Sequence, residues 1–374
     1  MSRAISLIVV TLVLTSVSAV PARAQFDLRA GVVGMYDDNI NNNDLQVSDR
    51  ITTLNLNSGY SLESSSWGAR FFYDGILNYY QTVIERTNQF HSANLDVTHY
   101  SGEDDENTLS LELSYGQGYY RDDYSFYNHS LISASADYEY SLSGTMINRV
   151  GYVFRSVHFA ELSDFSYSEH VVTDKFTLGL PTSTTIIAQA DLGAKFYPTT
   201  ILTDGSNQMR RGSATIAPSV TQLSGMVRIG QGIIDGTGLS LTTRYQWNVQ
   251  KQTRYLSSSY GAISDDELFD DHYGYEGLQM SLMLTQVLSE TMLLRITGGW
   301  QNKIYSTLGA FNLSGNQVAD SRLDDRSYVS LYVQKEFDTG FTLKGTYEFI
   351  RNASNDPYYD YRNNAATLQI SVPF

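Results

Sequence analysis

Asn364-Ala365-Ala366-Thr367-Leu368-Gln369-Ile370-Ser371-Val372-Pro373-Phe374 closes the sequence. Taken in steps of two, Ala366, Leu368, Ile370, Val372 and Phe374 fall on one side. Thr367, Gln369 and Ser371 fall on the other. Side chains alternate across a β-strand, so this is a strand with one apolar and one polar face. In water an apolar terminal strand frays. In a bilayer it is required, because lipid offers no hydrogen bonds and the last strand must pair with the first to abolish both edges. Pro373 removes one donor near the end and costs little ladder.

Composition agrees with a membrane sheet. Residues 1–24 read as a secretory leader: Arg3 gives the positive start, Ala4 to Val20 is apolar, and Ala22-Arg23-Ala24 is a small-x-small cleavage site. The mature chain is then expected to run from Gln25 as one domain, 25–374. It holds no apolar run of the ~18 residues that a membrane helix needs. Mean hydropathy is −0.26, as expected where only alternate residues meet lipid. Cysteine is absent, which excludes disulfides, thiol chemistry and Cys–zinc sites. Without Arg3 and Arg23, 23 Lys and Arg face 40 Asp and Glu, a net charge of −17. That excludes nucleic acid as a partner, since phosphate binding needs clustered cations. The 28 Tyr and only 6 Pro favour strands.

Sixteen candidate strands follow. They are Phe26–Tyr36, Ile51–Leu62, Trp67–Tyr79, Phe90–Tyr100, Thr108–Tyr119, His129–Tyr140, Ile147–His158 and Ser168–Leu180, then Thr185–Tyr197, Ser219–Gln231, Gly238–Trp247, Gly277–Leu288, Met292–Lys303, Ser327–Phe337, Phe341–Ile350 and Asn364–Phe374. Connections after even strands are short, such as Pro181–Thr184 and Ser289–Thr291. Several after odd strands are long and polar, such as Asn248–Glu276 and Ile304–Arg326. This alternation predicts an all-β, transmembrane antiparallel barrel of about 16 strands, with short periplasmic turns and long extracellular loops. Tyr79, Tyr119, Tyr197, Trp247, Trp300 and Phe349 are expected at the long-loop rim. Tyr60, Trp67, Tyr100, Tyr140, Phe337, Phe341 and Phe374 are expected at the other, as two interfacial belts.

A sixteen-stranded barrel has a water-filled lumen, so its inward charges carry information. Parity points Arg70, Asp74, Asp96, Glu112, Asp137 and Glu139 inward on strands 3 to 6. It points Arg228, Arg244, Arg295, Lys303, Lys344, Glu336 and Glu348 inward on strands 10 to 15. Arg149, Arg155, Lys175, Asp191 and Lys195 form a mixed group between them. A mainly acidic wall thus faces a mainly basic one, which sets up a transverse field. The competing reading is that these charges pair and only solvate the wall. The loop Asp265-Asp266-Glu267-Leu268-Phe269-Asp270-Asp271-His272 is acidic but lacks a D-x-D-x-D-G spacing for calcium. No G-x-S-x-G or H-E-x-x-H occurs. An enzyme is not expected, and nothing calls for a cofactor or a resident metal.

Two resemblances sharpen the expectation. Leu368, Ile370, Val372 and the terminal Phe374 resemble the C-terminal strand of bacterial outer-membrane barrels, which implies a signal read by the barrel-assembly machinery. Near the mature start, Tyr36-Asp37-Asp38-Asn39-Ile40 resembles the first-strand motif of the beta-barrel porin family found near exopolysaccharide and capsule clusters. That resemblance implies a barrel that passes or helps export polysaccharide, with periplasmic export components as partners. The reading is an outer-membrane, porin-like channel for hydrophilic solutes, set among lipid and lipopolysaccharide. The alternatives are polysaccharide export, a barrel enzyme, and a loop-based adhesin or receptor. Most Tyr are expected on the outward face, which favours girdles over an inner surface for stacking sugars.

Overall fold

The computed structural model describes residues 23–102, 106–197, 219–249, 256–258, 261–263, 272–306, 308–338 and 340–373. Sixteen long strands form one closed antiparallel barrel. They are β1 (Arg23–Asp37), β2 (Asp49–Glu63), β3 (Trp67–Tyr80), β4 (Asn88–Ser101), β5 (Asn107–Tyr120), β6 (His129–Ser143), β7 (Met146–Phe159) and β8 (Tyr167–Leu180), followed by β9 (Thr184–Phe196), β10 (Ser219–Ile234), β11 (Thr237–Asn248), β12 (Gly277–Ser289), β13 (Met292–Tyr305), β14 (Arg322–Glu336), β15 (Thr342–Ser354) and β16 (Tyr361–Pro373). Each pairs with its sequence neighbour, and β16 pairs with β1 from Arg29↔Pro373 to Asp37↔Ala365. Two small hairpins, Leu256–Ser258 with Gly261–Ile263 and Ala310–Phe311 with Gln317–Ala319, sit in the long loops.

All sixteen expected strands are present, and the largest boundary differences lie at the long-loop ends. β14 starts at Arg322 rather than Ser327, and β15 runs to Ser354 rather than Ile350. The apolar alternation stops there but the backbone ladder continues. Strands of 13 and 15 residues exceed the roughly 9–11 that span a bilayer, so these ends stand above it. The expected leader, residues 1–24, lies outside the described residues except for Arg23 and Ala24, which stand at the start of β1. The acidic stretch 265–271 and Phe374 also lie outside them.

Large apolar side chains stand exposed at every second position around the barrel. Phe71, Leu113, Val329 and Leu368 are 56%, 55%, 53% and 54% exposed. A continuous apolar surface of this kind requires lipid. No described helix is long and apolar enough to cross a membrane, and the chain crosses with strands. The strands are tilted. One hydrogen-bonded row climbs from Trp67, at the short-turn start of β3, through His99, Leu109, Tyr138, Val150, Asp174, Ala190, Gly225 and Tyr245 to Leu278, at the long-loop end of β12. At the short-turn rim Trp67 stacks on His99 at 4.2 Å, and Phe337 stacks on Phe341 at 4.0 Å.

Two belt expectations fail. Tyr197 is buried at the mouth near Lys195, and its neighbour Phe196 takes the outward place. Tyr100 shares its register with Thr108 and Glu139 on the inward face, not with the outward Trp67–His99 pair. A shift of one residue moves a side chain to the opposite face, so strand-end aromatics are easily misassigned.

The motif after β1 locks the barrel seam. The Asn39 backbone N–H donates to Asp37 Oδ1 at 2.8 Å, and Asn39 Nδ2 donates to Asn43 O at 2.7 Å and to Arg362 O at 3.1 Å. Asn39 is fully buried. Asp38 accepts from Asn364 N at 2.7 Å and from Asn364 Nδ2 at 2.6 Å. Asn39→Ala leaves these carbonyls without their donor and is expected to cost about 2 kcal/mol. The folded-to-unfolded conversion on a heat-modifiability gel should then occur several degrees lower. An unchanged midpoint would show that the motif does not hold the seam.

Candidate functional site

The inner wall is polar because the inward positions are, and the long loops fold back onto it. Gln222 Nε2 and Gln246 Nε2 donate to His272 O at 2.8 and 3.1 Å, and Asn248 Nδ2 donates to Tyr273 O at 2.9 Å. These amides pin the segment 272–276 inside the mouth. Gly193 makes room for it, since a Cβ there would collide with the Tyr273 hydroxyl. Above the seam the loop 38–48 packs on the β15–β16 connection: Asn43 Nδ2 donates to Tyr358 OH at 2.9 Å and Asp44 N to Tyr358 O at 3.0 Å. On the β6–β8 side Phe159, Leu162 and Phe165 bury themselves against Phe126 and Tyr127.

Between these loops lies a cavity of about 560 Å³, lined by the cations Arg86, Lys303, Arg322 and Arg326, the single acid Asp324, and Tyr124, Tyr127, Tyr305, Tyr358, Tyr359 and Tyr361. Arg322 is the organising residue. Its Nε and Nη2 grip the two oxygens of Asp324 at 3.1 and 2.7 Å. Its guanidinium lies 3.3 Å from the Tyr359 ring centroid and 4.2 Å from that of Tyr305. A planar guanidinium suits both contacts at once. Asp324 consumes Arg322, whereas Lys303 lies over the Tyr275 ring at 4.4 Å. Arg326 has no acidic partner within 4.0 Å among the described residues, and its Nε is buried without a protein hydrogen bond. The mouth cavity is therefore lined by four cations and one acid beside aromatic faces.

Below the mouth, register places the lumen candidates inward. Arg70 pairs across strands with Asp96, Asp96 with Glu112, and Glu139 with Arg149. Arg228, Arg244, Arg295, Lys303 and Lys344 fall in the same inward register on β10 to β15. Part of the charge is paired: Arg149–Asp137 at 3.0 Å, Arg155–Glu169 at 3.0 Å, Arg244–Asp191 at 2.9 Å and Arg70–Asp27 at 3.3 Å. Asp74, Asp96 and Glu112 on β3 to β5 have no cation within 4.0 Å among the described residues, nor do Arg228, Arg295 and Lys344 an anion. Around the closed barrel the acids lie between four and eight strands from the cations.

Sequence reasoning missed Arg322, Asp324, Arg326, Arg86 and Tyr359. The first three fall in the expected connection Ile304–Arg326, although Arg322, Asp324, Arg326 and Tyr328 alternate with Leu323, Asp325, Ser327 and Val329. Tyrosines such as Tyr60, Tyr79, Tyr115, Tyr119 and Tyr245 face outward as expected, but Tyr80, Tyr120, Tyr167, Tyr305 and Tyr361 face inward. Among the described residues no group of three His, Asp or Glu is placed to hold a metal. His91 and His170 bond to Tyr73 OH and Tyr152 OH, and His99 to Ser66 O.

Sixteen tilted strands, an apolar outer belt, short turns at one end and inward-folded loops at the other define a transmembrane barrel of the outer-membrane porin type. The comparisons agree. The crystal structure of the outer membrane protein OpdK from Pseudomonas aeruginosa superposes with a TM-score of 0.52 at 9% identity, over 94% of this chain and 99% of that one. OpdQ of the same organism gives 0.52 at 8%, over 94% and 98%. OpdK crystallised with vanillate gives 0.51 at 8%, over 94% and 98%. No protein-family model and no curated protein matches the chain.

Exchanging Arg244 and Arg295 for Glu tests the facing walls. Zero-current potential across a salt gradient should move toward cation preference by tens of millivolts. No movement would show that the paired charges merely solvate the wall.

Proposed function

We propose that the chain is a non-catalytic outer-membrane channel through which small hydrophilic solutes pass, and that the mouth favours anionic ones. The carrying observation is the cavity of about 560 Å³ in which Arg86, Lys303 and Arg326 stand beside tyrosine rings. Cations there raise the local concentration of anions, and flanking rings suit a planar or sugar-like body. The likeness to OpdK, crystallised with vanillate, is in keeping with this reading. On this view residues 1–24 are removed on export, residues 25–374 form the single domain, and Leu368, Ile370, Val372 and Phe374 are read by the assembly machinery. Lipopolysaccharide surrounds the long-loop rim. Polysaccharide export draws no support from the matched structures, and a mouth narrowed by three inward loops suits small solutes better than a polymer.

Planar-bilayer recording of the refolded mature chain tests it. Stepwise openings are expected, with concentration-dependent interruptions when vanillate is added on the loop side and none with glucose at equal concentration. Lys303→Ala with Arg326→Ala should weaken that block about tenfold, equivalent to about 1.4 kcal/mol. A folded, heat-modifiable protein that never conducts would overturn the channel. Equal block by glucose would overturn the anion preference alone.

A further inference from the structure

A groove of about 590 Å³ lies on the outer face of β1 to β4 beside the seam, walled by Ala30, Val32, Leu54, Leu56, Leu77 and Ile370. Tyr73 lies across Gly75, where a Cβ would collide with its hydroxyl, and a 2.6 Å hydrogen bond between that hydroxyl and His91 Nδ1 closes the β4 side. Toward the long loops the outer face turns polar. Gln89 pairs with the outward Tyr119, and Gln117 bonds the hydroxyls of Tyr115 and Tyr119. Arg50 stands four residues above Leu54 on β2, outward in register with Tyr36. Arg362 stands outward on β16, four residues above Ala366, which also pairs with Tyr36. Both arginines are exposed and neither is ion-paired among the described residues, whereas Arg351 beside them is held by Asp360. The acid between them, Asp38, is engaged by Asn364.

We infer that this face holds one molecule of lipid A, the phosphorylated and multiply acylated anchor of lipopolysaccharide. Long loops mark the external side, so the two arginines stand at the headgroup level of the outer leaflet. Three chemistries follow one another with depth: cations at the rim, amides and hydroxyls below them, and an apolar groove beneath. A guanidinium meets a phosphate through paired N–H donors. Arg50 and Arg362 are two strands and four residues apart, roughly 16 Å between Cα atoms at about 4.8 Å per strand and about 3.3 Å per residue. That span suits a disaccharide with a phosphate at each end, whereas a phospholipid with one phosphate engages one arginine only. The Gln89 and Gln117 amides are donors for the carbonyls of the acyl linkages. One acyl chain seated in the groove gains the dispersion contacts that a void would forfeit. The remaining outward cation of the strands, Lys335, lies at the short-turn rim bonded to Thr291.

Native mass spectrometry of the protein purified from outer membranes and stripped of lipid in mild detergent tests this. Bis-phosphorylated lipid A, its monophosphorylated form and phosphatidylglycerol would be added at equal concentration. One bound lipid A per barrel is expected, with occupancy about fivefold above either competitor. Arg50→Ala with Arg362→Ala should lower that occupancy about fivefold. Ala30→Trp, which fills the groove and leaves both arginines, should lower it as well, and Lys335→Ala should not. Equal occupancy by phosphatidylglycerol, occupancy that survives the arginine pair or the filled groove, or an equal loss with Lys335→Ala would each overturn the inference. Heat-modifiability of every variant confirms that the barrel is folded. The inference rests on the outer-membrane setting and is read as lipid occupancy, so it stands or falls apart from conductance.

Discussion

The ladder between β1 and β16 is the interaction on which the rest depends. Every backbone N–H and C=O in the lipid-facing belt must find a protein partner, and an open sheet would leave two strand edges without one. Closure by antiparallel neighbours gives each of the sixteen strands two partners. Once closed, the tilt follows from register, as the row from Trp67 to Leu278 shows. Closure is reinforced above the bilayer, where water would otherwise compete for the terminal pairs. Asp38 clasps Asn364, and Asn39 ties the first loop to the last hairpin.

From this constraint comes a division of labour between faces. The outward positions need only be apolar, and they are broadly interchangeable. The inward positions must satisfy water, neighbouring charges and the returning loops. Amides do much of this work, because one Asn or Gln side chain both donates and accepts. Gln222, Gln246 and Asn248 hold one loop by its carbonyls, and Asn39, Asn43 and Asn363 hold another. None of these contacts carries charge into the mouth. The cations that line the mouth cavity are Arg86, Lys303, Arg322 and Arg326, although the chain as a whole is strongly acidic.

The barrel was legible because its signal is local. Period-2 alternation such as Leu109, Leu111, Leu113 and Tyr115 marks a strand and its lipid face without reference to any other segment. Parity then placed Asp96, Glu112 and Arg295 on the inward side. The mouth was not legible, for two reasons. Arg322 and Asp324 extend a strand beyond the bilayer, where the outward residues no longer need to be apolar and the pattern fades. Tyr359 meets Arg322 only because the β15–β16 connection folds inward, a contact between residues far apart in sequence that no periodicity encodes. The Tyr-Asp-x-Asn motif stood out for its pattern, but its role at the seam required the register of β16.

Asp174 shows how the two kinds of information combine. By composition it is one acid among 40 Asp and Glu. By parity alone it is a break in the outward pattern of β8, between Val172 and Phe176. Only the cross-strand register places it at mid-depth, flanked by Val150 and Ala190, with the outward cations at the rims. A polar group in the lumen needs no special account, since water reaches it. The same group on the lipid face does, because hydrocarbon supplies neither a donor nor a high dielectric. The inner charges of this barrel can therefore be read in terms of solutes, whereas Asp174 is an exposed carboxyl on the face that meets lipid.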